Sequence, residues 1–101
     1  MSIGPGRVTI FLNAREIEPM LDDVRFIVAC SQNIPASAYD WMLEQYSAAW
    51  LAAMGEPGTV NYSASDQNAG RRAANTWLLG ILKRKRLPIP TSDQLKMIRV
   101  S

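Results

Sequence analysis

Residues 36–55, ASAYDWMLEQYSAAWLAAMG, carry the clearest helical pattern in the chain and set the expectations for the rest of the fold. Apolar side chains recur at helical spacing along two stripes, and Gly55 stands where a helix would end. Pro35 suits the first turn, and Ser37 and Asp40 have the spacing of a capping box. Because the apolar arc is wider than one contact needs, we expect this helix to pack on more than one side.

A second helix is predicted over residues 71–86, RRAANTWLLGILKRKR. On a helical wheel at about 100° per residue, its apolar side chains form one arc that faces the core. The arc holds Ala73, Ala74, Trp77, Leu78, Ile81 and Leu82. Gly80 at the edge of this arc predicts a close approach of the alanine-rich helix before it. Pro88 ends the helix, because proline disfavours helical geometry in the residue that precedes it.

The flanking segments predict a third helix and short strands. RVTIFL at 7–12 alternates and is rich in β-branched residues, which is typical of a half-buried strand. PMLDDVRFIVAC at 19–30 has helical spacing, although its Val-, Phe- and Ile-rich end also fits a strand. TVNYS at 59–63 is a second candidate strand, and MIRV at 97–100 is a third that would pair with residues 7–12.

Together these patterns predict an α+β, mainly helical fold with about three helices and one or two short strands. We expect one domain over residues 1–101, since a chain of this length is near the common domain size. Residues 1–6 are predicted to form a flexible leader, and residues 87–92 a proline-containing linker to a short C-terminal tail. In that tail, Thr91 and Gln94 have capping-box spacing, which indicates one helical turn.

The chain has no histidine and only one cysteine. This excludes histidine-dependent catalysis, a disulfide within the chain and a cysteine-built metal cluster. Cys30 lies in the apolar run FIVAC, so we expect a buried, reduced thiol. No run approaches the ~18 apolar residues of a membrane span. We therefore predict a protein that is not an enzyme, holds no metal or cofactor, has no membrane partner, and is cytoplasmic or part of a particle assembled inside the cell.

Charge is divided unevenly along the chain. Residues 1–66 carry eight acidic side chains and three arginines, whereas residues 67–101 carry eight basic side chains and one aspartate. The basic-surface candidates are Arg71, Arg72, Lys83, Arg84, Lys85 and Arg86. Three interpretations stay open: these cations offset the dipole at the helix end, bind the phosphates of a nucleic acid, or face an acidic protein partner.

Three large apolar side chains are the protein-interface candidates: Trp41, Trp50 and Leu79. Aromatic side chains dominate interface energetics, and Trp41 lies on a different side of its helix from Trp50. The sequence thus predicts a non-catalytic protein–protein interaction or assembly subunit, such as a small phage virion connector or an inhibitor, that binds another protein or copies of itself. The alternative is a nucleic-acid-binding module that uses the basic C-terminal third, although the chain has no convincing helix-turn-helix, zinc-finger or RNP motif.

Overall fold

The computed structural model describes residues 2–55 and 64–99, and within them the chain forms helices and no β-strand. The α-helices are α1 (Pro5–Asn13), α2 (Leu21–Ser31), α3 (Tyr39–Met54), α4 (Ala64–Arg84) and α5 (Ser92–Met97), and a short 3₁₀ turn (Ala36–Ala38) leads into α3. The mainly helical prediction is confirmed, and the predicted strands are not found in these residues. None of these helices combines the length and the apolar composition that a membrane span requires.

The predicted strand at residues 7–12 is wrong, because these residues lie inside α1. Pro5 occupies the first turn, where its fixed φ favours a helix and its missing N–H costs nothing. Val8 and Leu12 are four residues apart and fully buried, so the apolar spacing that fits a strand also fits one face of a helix. Ile10, which a strand would have buried with them, is 73% exposed.

The other two predicted strands are at residues 97–100 and 59–63. Met97 ends α5, and Ile98 has extended backbone but belongs to no strand. Because residues 7–12 form a helix, the strand with which the segment at 97–100 was predicted to pair does not exist. The candidate strand at 59–63 lies outside the described residues.

Several predicted helix boundaries agree with the structure. Gly55 follows α3 with a φ of 105°, a conformation that favours glycine. Thr91 and Gln94 form the predicted capping box at the start of α5, with the Gln94 N–H donating to Thr91 Oγ1 at 3.2 Å. The capping box expected from Ser37 and Asp40 is not formed, because the 3₁₀ turn delays the start of α3 beyond Ser37.

The basic segment that follows α4 has a defined backbone. Arg86 adopts a φ of 54°, and its N–H donates to the carbonyl of Lys83 at 3.2 Å. The Leu87 N–H donates to the carbonyl of Leu82 at 2.9 Å. This pair of bonds is the Schellman pattern, which satisfies carbonyls left open at a helix end and reverses the chain direction.

The largest contact between helices joins α3 to α4. Its closest point is Gly70 against Trp50, since a Cβ atom at Gly70 would lie 2.3 Å from Trp50 Cδ1. The prediction placed this close approach at Gly80, where a Cβ atom would meet nothing within 4 Å. The prediction is wrong because the buried arc of α4 is centred near Leu78, which leaves Gly80 outside it.

The segment before α1 is held against the rest of the chain. Ile3 is buried, and its N–H donates to Ser31 Oγ at 2.9 Å. These two contacts place residues 2–4 against the end of α2, and the flexible leader predicted for residues 1–6 stays a prediction.

Candidate functional site

A tryptophan pair with one exposed ring lies where α3 and α4 pack together. Trp41 on α3 is 45% exposed, and Trp77 on α4 is partly buried. Their ring centroids are 5.7 Å apart, with the ring planes tilted by 58°. Such tilted aromatic pairs contribute about 0.5–1.5 kcal/mol beyond the area they bury, so each ring holds the other in place. Trp41 is thus a large apolar side chain held in a fixed position at the surface.

Trp50, the second protein-interface candidate, is fully buried between the same two helices. Its indole Nε1–H donates to Gln67 Oε1 at 3.0 Å, which satisfies its polar atom inside the core. Trp50 is therefore a core residue and is not available at the surface. The helical wheel placed Trp41 and Trp50 on different sides of α3, but it could not show which side α4 would cover.

Leu79, the third protein-interface candidate, belongs to a different surface from Trp41. It is partly buried and lines a groove of about 330 Å³ between α2 and α4, beside Phe26 and Leu95. About 160° of rotation around α4 separates Leu79 from Trp77. The three candidates therefore do not form one patch.

Five of the six basic-surface candidates are exposed, and none of these five forms an ion pair with another described residue: Arg72, Lys83, Arg84, Lys85 and Arg86. Arg84 follows Trp77 by seven residues, which places both on one side of α4. Arg72 lies on the opposite arc. The exposed cations near the tryptophan pair are therefore those at the end of α4.

Arg71 differs from the other basic-surface candidates because it lies in a largely buried ion pair. Its Nε is 2.6 Å from Asp23 Oδ2, and the side chains of the two residues are 17% and 4% exposed. The guanidinium also donates to the carbonyl of Glu18 at 3.3 Å and lies 5.3 Å from the ring centre of Trp50. Arg71 therefore fixes α4 against the start of α2 and contributes little to the basic surface.

Asp23 is the centre of a polar network that sequence reasoning missed. Its Oδ1 accepts a hydrogen bond from Asn75 Nδ2 at 3.0 Å, and its Oδ2 accepts the N–H of Met20 at 2.8 Å. The Tyr46 hydroxyl donates to Asn75 Oδ1 at 2.6 Å, and burial raises the pKa of Tyr46. In the described part of the chain, every buried side-chain nitrogen and oxygen has a hydrogen-bond partner. The network is thus internally satisfied and is typical of structural polar clusters.

The single cysteine matches its prediction. Cys30 is fully buried, and this burial raises the pKa of its thiol to about 12. A thiol with such a pKa stays protonated near neutral pH, and only the thiolate is an effective nucleophile. Among residues 2–55 and 64–99, no three His, Cys, Asp or Glu side chains lie close enough together to hold a metal ion.

Comparison of the chain with protein-family models, curated proteins and solved structures finds no match. The strongest surface feature of the molecule is the tryptophan pair beside the cationic end of α4.

Proposed function

We propose that this protein is a non-catalytic protein-binding domain that docks through one face of the α3–α4 pair. This aromatic face consists of Trp41, Trp77 and Gly80. The observation that carries the proposal is the exposure of Trp41, 45%, on a ring held by a second indole. Gly80 follows Trp77 by one helical turn and has open space where a side chain would be, so it leaves a notch beside the rings.

The exposed part of Trp41 is large enough to matter for binding. A tryptophan offers up to about 250 Å² of burial, so the exposed fraction amounts to about 100 Å². At about 25 cal/mol per Å², covering it would contribute roughly 2.5 kcal/mol. This is the size of a binding hot spot, and tryptophan is enriched among hot-spot residues. The ring is already ordered, so little side-chain entropy is lost when a partner covers it.

Two observations support a non-catalytic role. The chain has no histidine, and its one thiol is buried and protonated near neutral pH. The buried carboxylate of Asp23 is already bound to Arg71, Asn75 and the Met20 N–H. Because a lone reduced cysteine suits a reducing compartment, we also propose that the protein works in the cytoplasm or in a particle assembled there.

One observation favours nucleic-acid binding as a second candidate function. The cations of Lys83–Arg86 are consecutive, exposed and without an ion pair to another described residue. Phosphate binding needs little more than such a cluster and weakens steeply with salt. However, the exposed carboxylate of Glu44 lies on the same helix as Trp41, within one turn of it, whereas Asp40 is already paired with Arg7. An acid beside the aromatic anchor disfavours a polyanionic partner.

Site-specific photocrosslinking tests the proposal. A photoreactive benzoyl-phenylalanine is placed at position 41, and in a control at the exposed position of Gln32, in cells that naturally produce the protein. We expect a discrete protein adduct from position 41 and none from position 32. No adduct at position 41, or an adduct removed by nuclease, would refute protein binding through the aromatic face.

A further inference from the structure

The C-terminal helix α5 is held by a small set of contacts on one neighbouring helix. It packs on α2, and its Leu95 lines the groove between α2 and α4 beside Phe26. Directly after α5, the carbonyl of Ile98 accepts a hydrogen bond from Arg25 Nε at 3.2 Å. The surface that receives α5 is therefore α2 together with the groove beside it.

The turn that leads from α4 towards α5 contains one strained residue. Arg86 has a φ of 54°, a left-handed conformation in which a carbonyl oxygen crowds the Cβ of any residue other than glycine. In this turn the Arg86 N–H donates to Lys83 and the Leu87 N–H donates to Leu82. If Arg86 took helical geometry instead, the two N–H groups would exchange these two acceptors. Straightening the turn would therefore relieve the strain without losing a hydrogen bond.

The residues that follow the turn do not hold it in place. Residues 88–90 form no hydrogen bond with another described residue. Two of them are prolines, Pro88 and Pro90, which favour an extended chain and prevent α4 from continuing into α5. We call residues 86–90 the hinge. It combines a strained turn with a short extended segment between two helices.

We propose that two copies of this chain exchange α5, so that the α5 of each copy docks in the α2–α4 groove of the other. The structure itself identifies the occupant: the groove already receives Leu95 of its own chain, and the same helix from a second copy would make the same contacts. Exchange of an identical element is a low-cost route to dimers, and a short hinge under strain favours it. The exchange uses neither Trp41 nor Trp77, so it goes beyond the proposed function.

The closed chain and the exchanged dimer differ mainly at the hinge. In the closed chain α5 is tethered beside its groove, which favours the monomer at low protein concentration. In the dimer both hinges are straight. Residues 87–90 span at most about 14 Å, so the α4 ends of the two copies must lie close together. The exposed cations of residues 83–86 then approach those of the second copy, and added salt should favour the dimer by screening this repulsion.

Sedimentation velocity at high salt and rising protein concentration measures the dimer of the full chain and of two hinge variants. Arg86→Gly and Arg86→Ala remove the same exposed charge, but only glycine adopts a φ of 54° without strain. We expect Arg86→Ala to dimerise at least as well as the wild type. Arg86→Gly should dimerise more weakly than Arg86→Ala by about tenfold for each turn, and so by about a hundredfold for a dimer with two turns.

A crosslink between isotopically different chains tests the exchange directly. Benzoyl-phenylalanine replaces Asp22, which is exposed and lines the same groove as Leu95. This light chain is mixed with an equal amount of isotopically heavy wild type, and the dimer fraction is irradiated. Trypsin cuts after Arg86 and Lys96, so residues 87–96 form one peptide that carries Leu95. Mass spectrometry should find the light position 22 joined to the heavy peptide 87–96.

Three results would overturn the inference. They are a wild type that stays monomeric at every concentration, adducts that contain only light peptides, and equal dimerisation of Arg86→Gly and Arg86→Ala. None of these measurements depends on the aromatic face. A crosslink from position 41 to a different protein would therefore leave the proposed function standing even if α5 does not exchange.

Discussion

Replacing Gly70 with alanine would push a methyl group into the indole ring of Trp50. The new Cβ would lie 2.3 Å from Cδ1, 2.5 Å from Nε1 and 2.8 Å from Cγ. Favourable carbon–carbon contacts are about 3.5–4.0 Å long, so the ring or the helix would have to move. The ring is fully buried and its Nε1–H is bonded to Gln67, which leaves it no open space to enter.

The expected cost follows from three contributions. Overpacking a well-filled core costs about 1–3 kcal/mol, and a contact this short belongs at the upper end. Displacing the Trp50 ring from Gln67 would cost about 1 kcal/mol for a lost hydrogen bond. Alanine in place of glycine in a helix interior returns about 1 kcal/mol. We therefore expect Gly70→Ala to lower the free energy of unfolding by about 2–3 kcal/mol.

Gly80→Ala is the matched control, because it makes the same chemical change in the same helix. Nothing lies within 4 Å of a Cβ atom at Gly80, so only the gain in helix propensity remains. We expect the free energy of unfolding to rise by about 0.5–1 kcal/mol. In a domain of this size, each kcal/mol of stability changes the melting temperature by about 4–8 °C. The melting temperatures of the two variants should therefore differ by well over 10 °C.

Urea unfolding followed by circular dichroism measures both variants. An unchanged dependence on denaturant, with only the midpoint shifted, would show that the two changes act on stability alone. If Gly70→Ala were as stable as the wild type, the close approach of α4 to Trp50 described above would not exist. If Gly80→Ala were destabilised as strongly as Gly70→Ala, the surface notch beside Trp77 would in fact be filled.

Four further predictions concern the buried ion pair, the reactivity of the thiol, the effect of the thiol on stability at high pH, and the α5 cap. Arg71→Met should lower the free energy of unfolding by about 3–5 kcal/mol, because it leaves the Asp23 carboxylate buried without its cation. Arg72→Met, at the exposed neighbouring position, is the control and should stay within about 0.5 kcal/mol of the wild type. The same urea assay measures both variants. Cys30 should react with Ellman's reagent at pH 8 only as fast as the chain unfolds, and rapid labelling of the native protein would contradict its burial. Folding raises the pKa of this thiol from 9.0 to about 12, so the unfolded chain loses the proton first as the pH rises. The free energy of unfolding should therefore fall between about pH 9 and pH 12. Cys30→Ala should make the free energy of unfolding depend less on pH in this range. Thr91→Ala should lower the stability of α5 by about 0.5–1 kcal/mol, because the side-chain cap is lost. Amide hydrogen exchange should become faster in that helix alone. Unchanged exchange would mean that the cap is not formed in solution.

The features that the sequence predicted well depend on local spacing. Helices α3 and α4 have long apolar patterns, and the Thr91–Gln94 cap needs only two residues three positions apart. The burial of Cys30 follows from the apolar run around it. The error at residues 7–12 has a local cause too, because over six residues Val8 and Leu12 satisfy both the strand period and the helix period.

The candidate site could be predicted only in part, since it depends on contacts between distant segments. Asp23 and Arg71 are 48 residues apart, and no local sequence pattern around either residue predicts that they pair. Trp41 and Trp50 lie on the same helix, and the spacing of apolar residues along α3 does not show that the close approach of α4 falls at Trp50. The two glycines pose a similar problem, because Gly80 lies at the edge of the predicted apolar arc and Gly70 precedes the helix predicted over 71–86, yet only Gly70 meets a ring.

The polar network around Asp23 ties the start of α2 to α4, and through Asn75 and Tyr46 it also reaches α3. These three helices should therefore open together, as one cooperative unit that exchanges its amides at the global rate. Helix α5 lies outside that network and buries no residue fully, although it packs on α2. Helix α5 should therefore detach at a far lower free-energy cost than global unfolding. Each detachment would remove Leu95 from the groove that it lines with Phe26. The groove between α2 and α4 would then be wider while the rest of the molecule stays folded.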